Sequence, residues 1–167
     1  FLVFLIYYLL IVIIAVVAKD NLHATASQAG LAVGIYIIGT VVARLLAGRF
    51  ISILGCRKML YLGLLIYLIS TAMYFYTPNL LMLDSVRFLN GFAYGITSTA
   101  TSTIIAAIIP TSRRGEGINY YGLSTSLAAA VGPFLGILML HSLGYDFIIA
   151  FCVVLIILCG IGSVIMK

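Results

Sequence analysis

Charged residues are scarce in this sequence of 167 residues. Only 8% of the residues are charged, whereas 64% are hydrophobic, and the mean hydropathy is +1.27. Soluble domains carry about 25% charged residues, so this composition excludes a water-soluble domain. The chain also has only 4 carboxylates, 2 histidines and 3 cysteines, and none of these has catalytic, metal-ligand or disulfide spacing. We therefore predict no enzyme activity, no metal site and no cofactor.

Long segments without a charged residue divide the chain. Six of them are close to or longer than the ~20 residues that cross a bilayer as a helix. No segment alternates as a barrel strand does, so helices are the spanning form. We predict an all-α membrane protein, with residues 1–167 forming a single six-helix bundle. The transmembrane helices are predicted at about 1–18, 27–47, 59–77, 80–109, 118–140 and 146–166.

The cations of the loops predict the orientation of the bundle. They are Arg49, Arg57 and Lys58 between helices two and three, Arg113 and Arg114 between helices four and five, and Lys167 after helix six, whereas the other connections hold only Lys19. Positive charge marks the cytoplasmic side, so both chain ends are predicted to lie in the cytoplasm. We interpret the membrane as the inner membrane of a bacterial cell. The net charge of +5 therefore reflects topology, and we predict no nucleic-acid partner.

A short basic segment between helices two and three carries a recognisable motif. Gly48, Ser52, Gly55, Arg57 and Lys58 stand at spacings that resemble the loop between the second and third helices of major facilitator superfamily transporters. Glycine allows the tight turn, and the two cations are suited to helix ends whose carbonyls are negative. Serine stands where the family usually has Asp, so a charge interaction attributed to that Asp is missing here.

Helix four contains the charge that most needs an explanation. Arg87 lies some seven residues inside it, where an arginine costs roughly 2.5–3.5 kcal/mol on insertion scales. Asp84 precedes it by one turn on the same face and can pair with it. Two interpretations stay open: a structural pair that extends to the outer interface, or a pair that borders a wet pathway.

The rest of that face of helix four is small or polar. Its residues are Asn90, Gly91, Tyr94, Ser98, Thr101 and Ser102, which favours a helix that lines a pathway. Thr99 and Thr103 are predicted to hydrogen-bond their own backbone instead. On helix two, Arg44 is predicted to extend to the headgroups.

Further motifs of helices four and five extend the resemblance. Arg87–Gly91 looks like the Arg-x-x-Gln-Gly element of proton-coupled major facilitator transporters, with Asn90 in place of Gln. Gly132, Pro133 and Gly136 are similar to the Gly-Pro-x-x-Gly antiporter motif. The turn with Arg113, Arg114 and Glu116, and the helix-five entry Asn119–Gly122, resemble drug and arabinose efflux permeases. Asn119 and Ser126 recur with Pro133 at intervals of seven residues, which predicts a cavity-facing side of helix five.

The resemblance implies the amino-terminal half of a twelve-helix fold, built from two inverted three-helix repeats. We expect the chain to be a fragment whose carboxy-terminal six-helix half is missing. The implied function is proton-coupled efflux of a small amphipathic molecule by alternating access, with the lipid bilayer, protons and the substrate as partners. Tyr7, Tyr8, Phe92 and Tyr94 are candidates both for substrate contact and for simple packing. An uptake symporter of the same fold and a non-transporting membrane domain remain alternatives.

Overall fold

The computed structural model describes residues 1–165, and within them the chain forms six α-helices and no strand. The helices are α1 (Leu2–Asn21), α2 (Ala26–Leu54), α3 (Cys56–Ala72), α4 (Leu80–Ile108), α5 (Arg114–Leu143) and α6 (Tyr145–Ile165). The 3₁₀ turn Met73–Tyr76 extends α3, and a second one, Thr111–Arg113, precedes α5. Lys167, which is predicted to follow helix six, lies outside the described residues.

Five of these helices are long and apolar enough to cross a membrane, and α4 is the exception. Its 29 residues span ~43 Å at about 1.5 Å per residue, so its length suffices. Its composition is more polar because it holds Arg87, Asn90 and the hydroxyl residues between 97 and 103. Both α2 and α3 pack extensively on α4, and this protein environment shields the polar residues from lipid.

The pairing of the helices supports the two-repeat organisation. Inverted repeats exchange helices one, two and three with four, five and six. Under this exchange the extensive α2–α4 contact maps onto the α1–α5 contact, and the α3–α4 contact maps onto α1–α6. All four contacts are present in the bundle. The contact between α3 and α6 maps onto itself and is present as well.

The basic segment after helix two is not the loop that its glycines predict. The helix does not end at residue 47 but continues through Gly48 to Leu54, and α3 begins at Cys56 rather than near residue 59. Only Gly55 leaves the helical conformation, with φ of +83°, a value that glycine adopts without steric cost. No proline interrupts the helix here, and the Ser52 hydroxyl donates to the Arg49 carbonyl within it at 2.7 Å.

Four other helix boundaries also differ from the predicted ones, and the first is the end of α1, at Asn21 rather than residue 18. The α-helical part of α3 ends at Ala72, before the 3₁₀ turn, and not at residue 77. α5 begins at Arg114 rather than residue 118 and continues to Leu143, where Gly144 with φ of +82° ends it. α4 begins after Asn79, whose side chain accepts a hydrogen bond from the Met82 N–H at 2.9 Å. This cap starts α4, so Pro78 lies outside the helix.

Glycines bring the paired helices into close backbone contact. A Cβ at Gly91 would overlap the backbone carbonyl of Tyr36 in α2, and one at Gly95 would lie 2.7 Å from the Thr40 carbonyl oxygen. On the other side of the bundle, a Cβ at Gly132 would lie 2.7 Å from the Tyr8 Cβ in α1. Small residues at such contacts are typical of helix packing in membranes. They bring α4 against α2 and α5 against α1.

Candidate functional site

The side chain of Arg87 is completely buried inside the bundle, with 0% of its surface exposed. It lies ~10 Å from the start of α4 at about 1.5 Å per residue and points towards α2. Its Nε donates to the Ala32 carbonyl at 3.1 Å, and its Nη1 donates to the Tyr74 hydroxyl at 3.5 Å. The guanidinium carbon also lies 4.5 Å from the centre of the Tyr36 ring, a cation–π contact. The interpretation in which Arg87 extends to the outer interface is therefore wrong.

Asp84 is not a partner of this arginine, so the predicted pair is absent in this conformation. The carboxylate is half-buried, and its Oδ1 has no hydrogen-bond partner among the described residues. The spacing along α4 puts both side chains on one face. However, α2 lies so close that its Ala32 carbonyl and Tyr36 ring contact the longer side chain of Arg87. One nitrogen of the guanidinium, Nη2, also lacks a partner within the described chain. Among the described residues, Arg87 is thus a buried cation that no carboxylate contacts.

Asn90 faces α3 rather than the side that Arg87 occupies. Its amide nitrogen donates to the Ser70 hydroxyl at 2.9 Å and to the Thr71 hydroxyl at 3.0 Å, and the residue is completely buried. The two neighbours in the motif therefore reach different helices, and in this conformation Asn90 connects α4 to α3. Three positions along a helix amount to a rotation of about 60° at about 100° per residue, so side chains at Arg87 and Asn90 can reach different neighbouring helices.

Replacement of Asn90 by leucine is expected to destabilise the bundle by about 1–2 kcal/mol, since hydrogen bonds between membrane helices contribute ~0.6 kcal/mol on average and up to ~1.7 kcal/mol. Equilibrium unfolding of the purified protein in mixed micelles measures the loss. Thr99→Val is the control, because the Thr99 hydroxyl bonds only its own helix, at the Gly95 carbonyl. Equal stability of the two variants would contradict the assigned role of Asn90.

Stacked tyrosines connect the buried arginine to the surface of α1. The Tyr36 ring, which contacts Arg87, stacks on Tyr7 with ring centres 5.2 Å apart, and Tyr7 stacks on Tyr94 at 5.0 Å. Tyr36 and Tyr94 are buried, whereas Tyr7 is half-buried. Tyr7 is therefore partly accessible at the surface of the bundle, whereas Arg87 is not accessible unless the helices move.

The carboxy-terminal half of the polar face of α4 borders a cavity. It has a volume of about 460 Å³ and lies between α1, α3, α4, α5 and α6, with Ser98 and Thr101 among its lining residues. Arg57 and Ile108 also line it, which places it at the end of the bundle where α2 joins α3 and α4 joins α5. We call this end the basic end, because Arg57, Lys58, Arg113 and Arg114 lie there. Of the residues predicted to line a pathway, Ser98 and Thr101 thus reach a cavity, while Asn90 does not.

Several hydroxyl groups of α4 bond within the helix, as predicted for two of them. Thr99 donates to the Gly95 carbonyl at 2.7 Å and Thr103 to the Thr99 carbonyl at 2.8 Å, which confirms the prediction. Ser102 also donates to the Thr99 carbonyl, at 2.9 Å. Such bonds let a hydroxyl sit in an apolar helix without a partner on another helix. The hydroxyl run of α4 is therefore partly a packing feature.

The residues of the two basic turns are solvent-exposed in the bundle. They are Gly48, Ser52, Gly55, Arg57, Lys58, Arg113, Arg114 and Glu116. Gly48 lies within α2 and Gly55 in the turn, and Arg114 and Glu116 belong to the first turn of α5 rather than to a loop. A Cβ at Gly48 would meet no described atom within 4 Å. The gating role of this group stays a prediction.

The residues predicted on helix five separate into two sides. Gly132 and Gly136 are buried against α1, whereas Asn119 and Ser126 are exposed and Pro133 is half-buried. The polar pair and the proline share a side because seven residues make about two helical turns. That side does not face α1, and its role as a cavity wall stays a prediction.

Tyr36 and Tyr74 are the residues of the Arg87 environment that sequence reasoning missed. Both are fully buried, at 1% exposure. Tyr36 is a phenol in an apolar part of α2, which is the signal that was available for it, whereas Tyr74 is one of two tyrosines in its 3₁₀ turn. Sequence reasoning also did not identify Ser70 and Thr71, the partners of Asn90, because hydroxyl residues are common in membrane helices. Within residues 1–165, no three His, Cys, Asp or Glu side chains converge as a metal site would require.

Comparison with known proteins identifies relatives of the whole segment. The model of the Major Facilitator Superfamily matches residues 1–166. The chain is similar to an uncharacterized MFS-type transporter of Methanocaldococcus jannaschii, with 30% identity over 150 residues, which are 90% of this chain and 39% of the relative.

Two relatives with a functional name match shorter segments. Multidrug resistance protein 2 of Bacillus subtilis is 25% identical over 112 residues, or 67% of this chain and 28% of its own length. The niacin transporter NiaP of Acinetobacter baylyi is 30% identical over 114 residues, or 66% of this chain and 26% of its own length. The matched segment is thus well under half of each of these relatives.

Proposed function

Because the chain belongs to the major facilitator superfamily, we propose that it forms the amino-terminal six-helix half of a longer, secondary active transporter. Family membership makes it part of an integral, multi-pass membrane transporter of a small molecule and not an enzyme. The match to 39% of the archaeal relative leaves length for a second bundle. The space beside Gly48 suits a helix of that second half. We further propose that both chain ends lie in the cytoplasm, because the cations cluster at the basic end, and that the membrane is the inner membrane of a bacterial cell.

The proposed activity is proton-coupled efflux by alternating access. The observation that carries it is the fully buried Arg87, which has no anionic partner within residues 1–165, because such a cation is costly in a membrane and indicates function. A carboxyl near it can alternate between a protonated form without a partner and an ionised form that pairs with Arg87. Asp84, one turn away, is the nearest such group along α4. Its protonation would bias the two halves between inward-facing and outward-facing states.

Replacement of Asp84 by asparagine is expected to abolish transport driven by a pH gradient, because the variant cannot release a proton. The full-length transporter is reconstituted in liposomes that contain the pH indicator pyranine. A proton flow is then recorded after benzenesulfonate is added to a preformed gradient. Solute exchange without a gradient should persist, since the side chain keeps its size and polarity.

Asp146→Asn is the matched control. Asp146 is an exposed carboxylate in the first turn of α6, so its removal should leave the proton flow unchanged. An unchanged flow in Asp84→Asn as well would contradict the proposed role of this carboxyl.

Two alternatives remain. The first is uptake by symport in the same fold, and the liposome assay separates it from efflux, since antiport moves protons against the solute and symport moves them with it. The second is a non-transporting six-helix domain, because the chain matches only a small share of each relative. Absence of any proton-coupled flow from the full-length protein would favour that second alternative.

A further inference from the structure

Half-buried aromatic rings converge where α1 and α5 meet α4. Phe4 contacts Tyr94 edge-on with ring centres 6.1 Å apart, and it contacts Tyr121 of α5 at 5.6 Å. Tyr7 stacks on Tyr94 at 5.0 Å and lies 4.8 Å from Tyr8. Phe4, Tyr7, Tyr8 and Tyr121 are each partly accessible, while Tyr94 is only 5% exposed behind them. We call these five rings the aromatic face.

Arg44 of α2 stands beside this face. It follows Ala43, whose Cβ would lie 2.6 Å from a Cβ at Gly95, so its backbone lies next to the α2–α4 contact at the level of Tyr94. The Arg44 side chain is exposed, and within residues 1–165 it makes no hydrogen bond.

The fixed charges around the aromatic face are all positive. Arg44 lies beside it, and Arg87 lies behind it, under the Tyr36 ring on which Tyr7 stacks. In the cavity that Phe4 and Tyr121 also line, the charged lining residue is Arg57.

None of the 4 acidic residues of the chain balances these cations. Asp20 and Asp146 lie at the end opposite to the basic end, and Glu116 lies in the exposed first turn of α5. Asp84 precedes Tyr94 by ten residues, or ~15 Å along the helix at about 1.5 Å per residue. The face therefore has aromatic surface and positive potential but no built-in anion.

We propose that the aromatic face and Arg44 form a substrate subsite for planar aromatic anions. This inference rests on the proposed transport function and names its substrate class. A ring stacks on the tyrosines in offset or edge-on geometry, and a carboxylate or sulfonate accepts two parallel hydrogen bonds from the guanidinium fork. An aromatic cation is disfavoured, because it would meet Arg44 with the same sign of charge.

Binding of radiolabelled benzenesulfonate to the purified full-length transporter tests the subsite without any gradient. Its permanent charge makes the result independent of proton coupling. We expect unlabelled benzenesulfonate to compete at least tenfold better than benzenesulfonamide, which has the same ring without the charge, and better than benzyltrimethylammonium. Methanesulfonate, which has the charge without the ring, should compete poorly.

Arg44→Gln is expected to weaken benzenesulfonate binding at least tenfold, and Arg44→Lys to weaken it less, since lysine keeps the charge but loses the fork. Tyr121→Leu should reduce the preference for benzenesulfonate over methanesulfonate. The control is Arg49→Gln, because Arg49 is exposed on the same helix but is rotated by about 140° from Arg44 at about 100° per residue. Thermal unfolding of each variant verifies that it is folded.

Three results would overturn the subsite. They are undetectable benzenesulfonate binding, equal competition by the sulfonamide or the cation, and full binding by folded Arg44→Gln. Failure of the proposed function is a separate outcome: benzenesulfonate would then bind with the expected dependence on Arg44, yet no proton flow would follow in liposomes.

Discussion

Replacement of Arg87 by methionine is expected to abolish transport driven by a pH gradient while the protein stays at least as stable as the wild type. Methionine is long and unbranched and fills the apolar part of the space between α4 and α2. Exchange of a buried charge for a well-packed hydrophobic residue is often neutral or stabilising by about 1–4 kcal/mol. Thermal unfolding and pyranine-reported proton flow of the reconstituted transporter measure the two effects on the same preparation.

The reason to expect this separation is the environment of the guanidinium. It has one carbonyl, one hydroxyl and one ring as partners, and its Nη2 has no partner among the described residues. Such a site compensates the burial of a charge only in part. A charge that contributes little to stability but is kept inside a membrane helix points to function.

Two further substitutions delimit the role of this side chain. Arg87→Ala should be less stable than Arg87→Met by about 2–5 kcal/mol, since removal of a long buried side chain leaves a cavity. Arg87→Lys keeps the charge but cannot reproduce the bond to the Ala32 carbonyl together with the contact to the Tyr36 ring, so partial transport is expected. If Arg87→Met transports normally, the arginine is a structural element and the proposed coupling fails.

Replacement of Gly91 by alanine is expected to prevent assembly of the bundle or to destabilise it by about 3 kcal/mol, the upper part of the range for overpacking. The new methyl group would overlap the backbone carbonyl of Tyr36, and a backbone atom cannot rotate away. Separation of α2 from α4 would also break the 3.0 Å hydrogen bond from the Thr40 hydroxyl to the Gly91 carbonyl. The yield of monodisperse protein in a mild detergent and its unfolding midpoint measure the effect.

Gly34→Ala provides the comparison for this substitution. Gly34 lies in α2, and a Cβ there would meet no described atom within 4 Å. Alanine inside a helix is favoured over glycine by about 0.5–1 kcal/mol, so this variant should be as stable as the wild type or more so. A stable, monodisperse Gly91→Ala variant would mean that the two helices are not in backbone contact at this position.

The resemblance carried by the sequence was sufficient for the family, but it predicted the surroundings of Arg87 poorly. Arg87 was identified as exceptional because an arginine within an apolar helix is evident from the sequence alone. Its expected partner Asp84 was inferred from spacing along one helix, which describes a helix in isolation. The actual partners, Ala32, Tyr36 and Tyr74, lie on other segments, and no local pattern indicates which of them arrives beside α4.

Helix boundaries show the same division between local and non-local information. Gly55 and Gly144 end helices with positive φ, and a glycine is a local signal for that. Gly48 has the same local signal, but it lies inside α2, because helical hydrogen bonds in a membrane are retained wherever nothing prevents them. A glycine permits a turn without requiring one.

Composition, the order of the motifs and the scarcity of charge were enough to predict a helical membrane protein of this family, since lipid forces each segment to satisfy its own backbone. The contacts between helices were needed for the rest: that Arg87 turns to α2, that Asn90 turns to α3, and that the backbone of Arg44 lies next to the contact of α2 with α4. The physical reason is that helix rotation and pairing depend on contacts between small residues of different helices. These residues lie far apart in the chain.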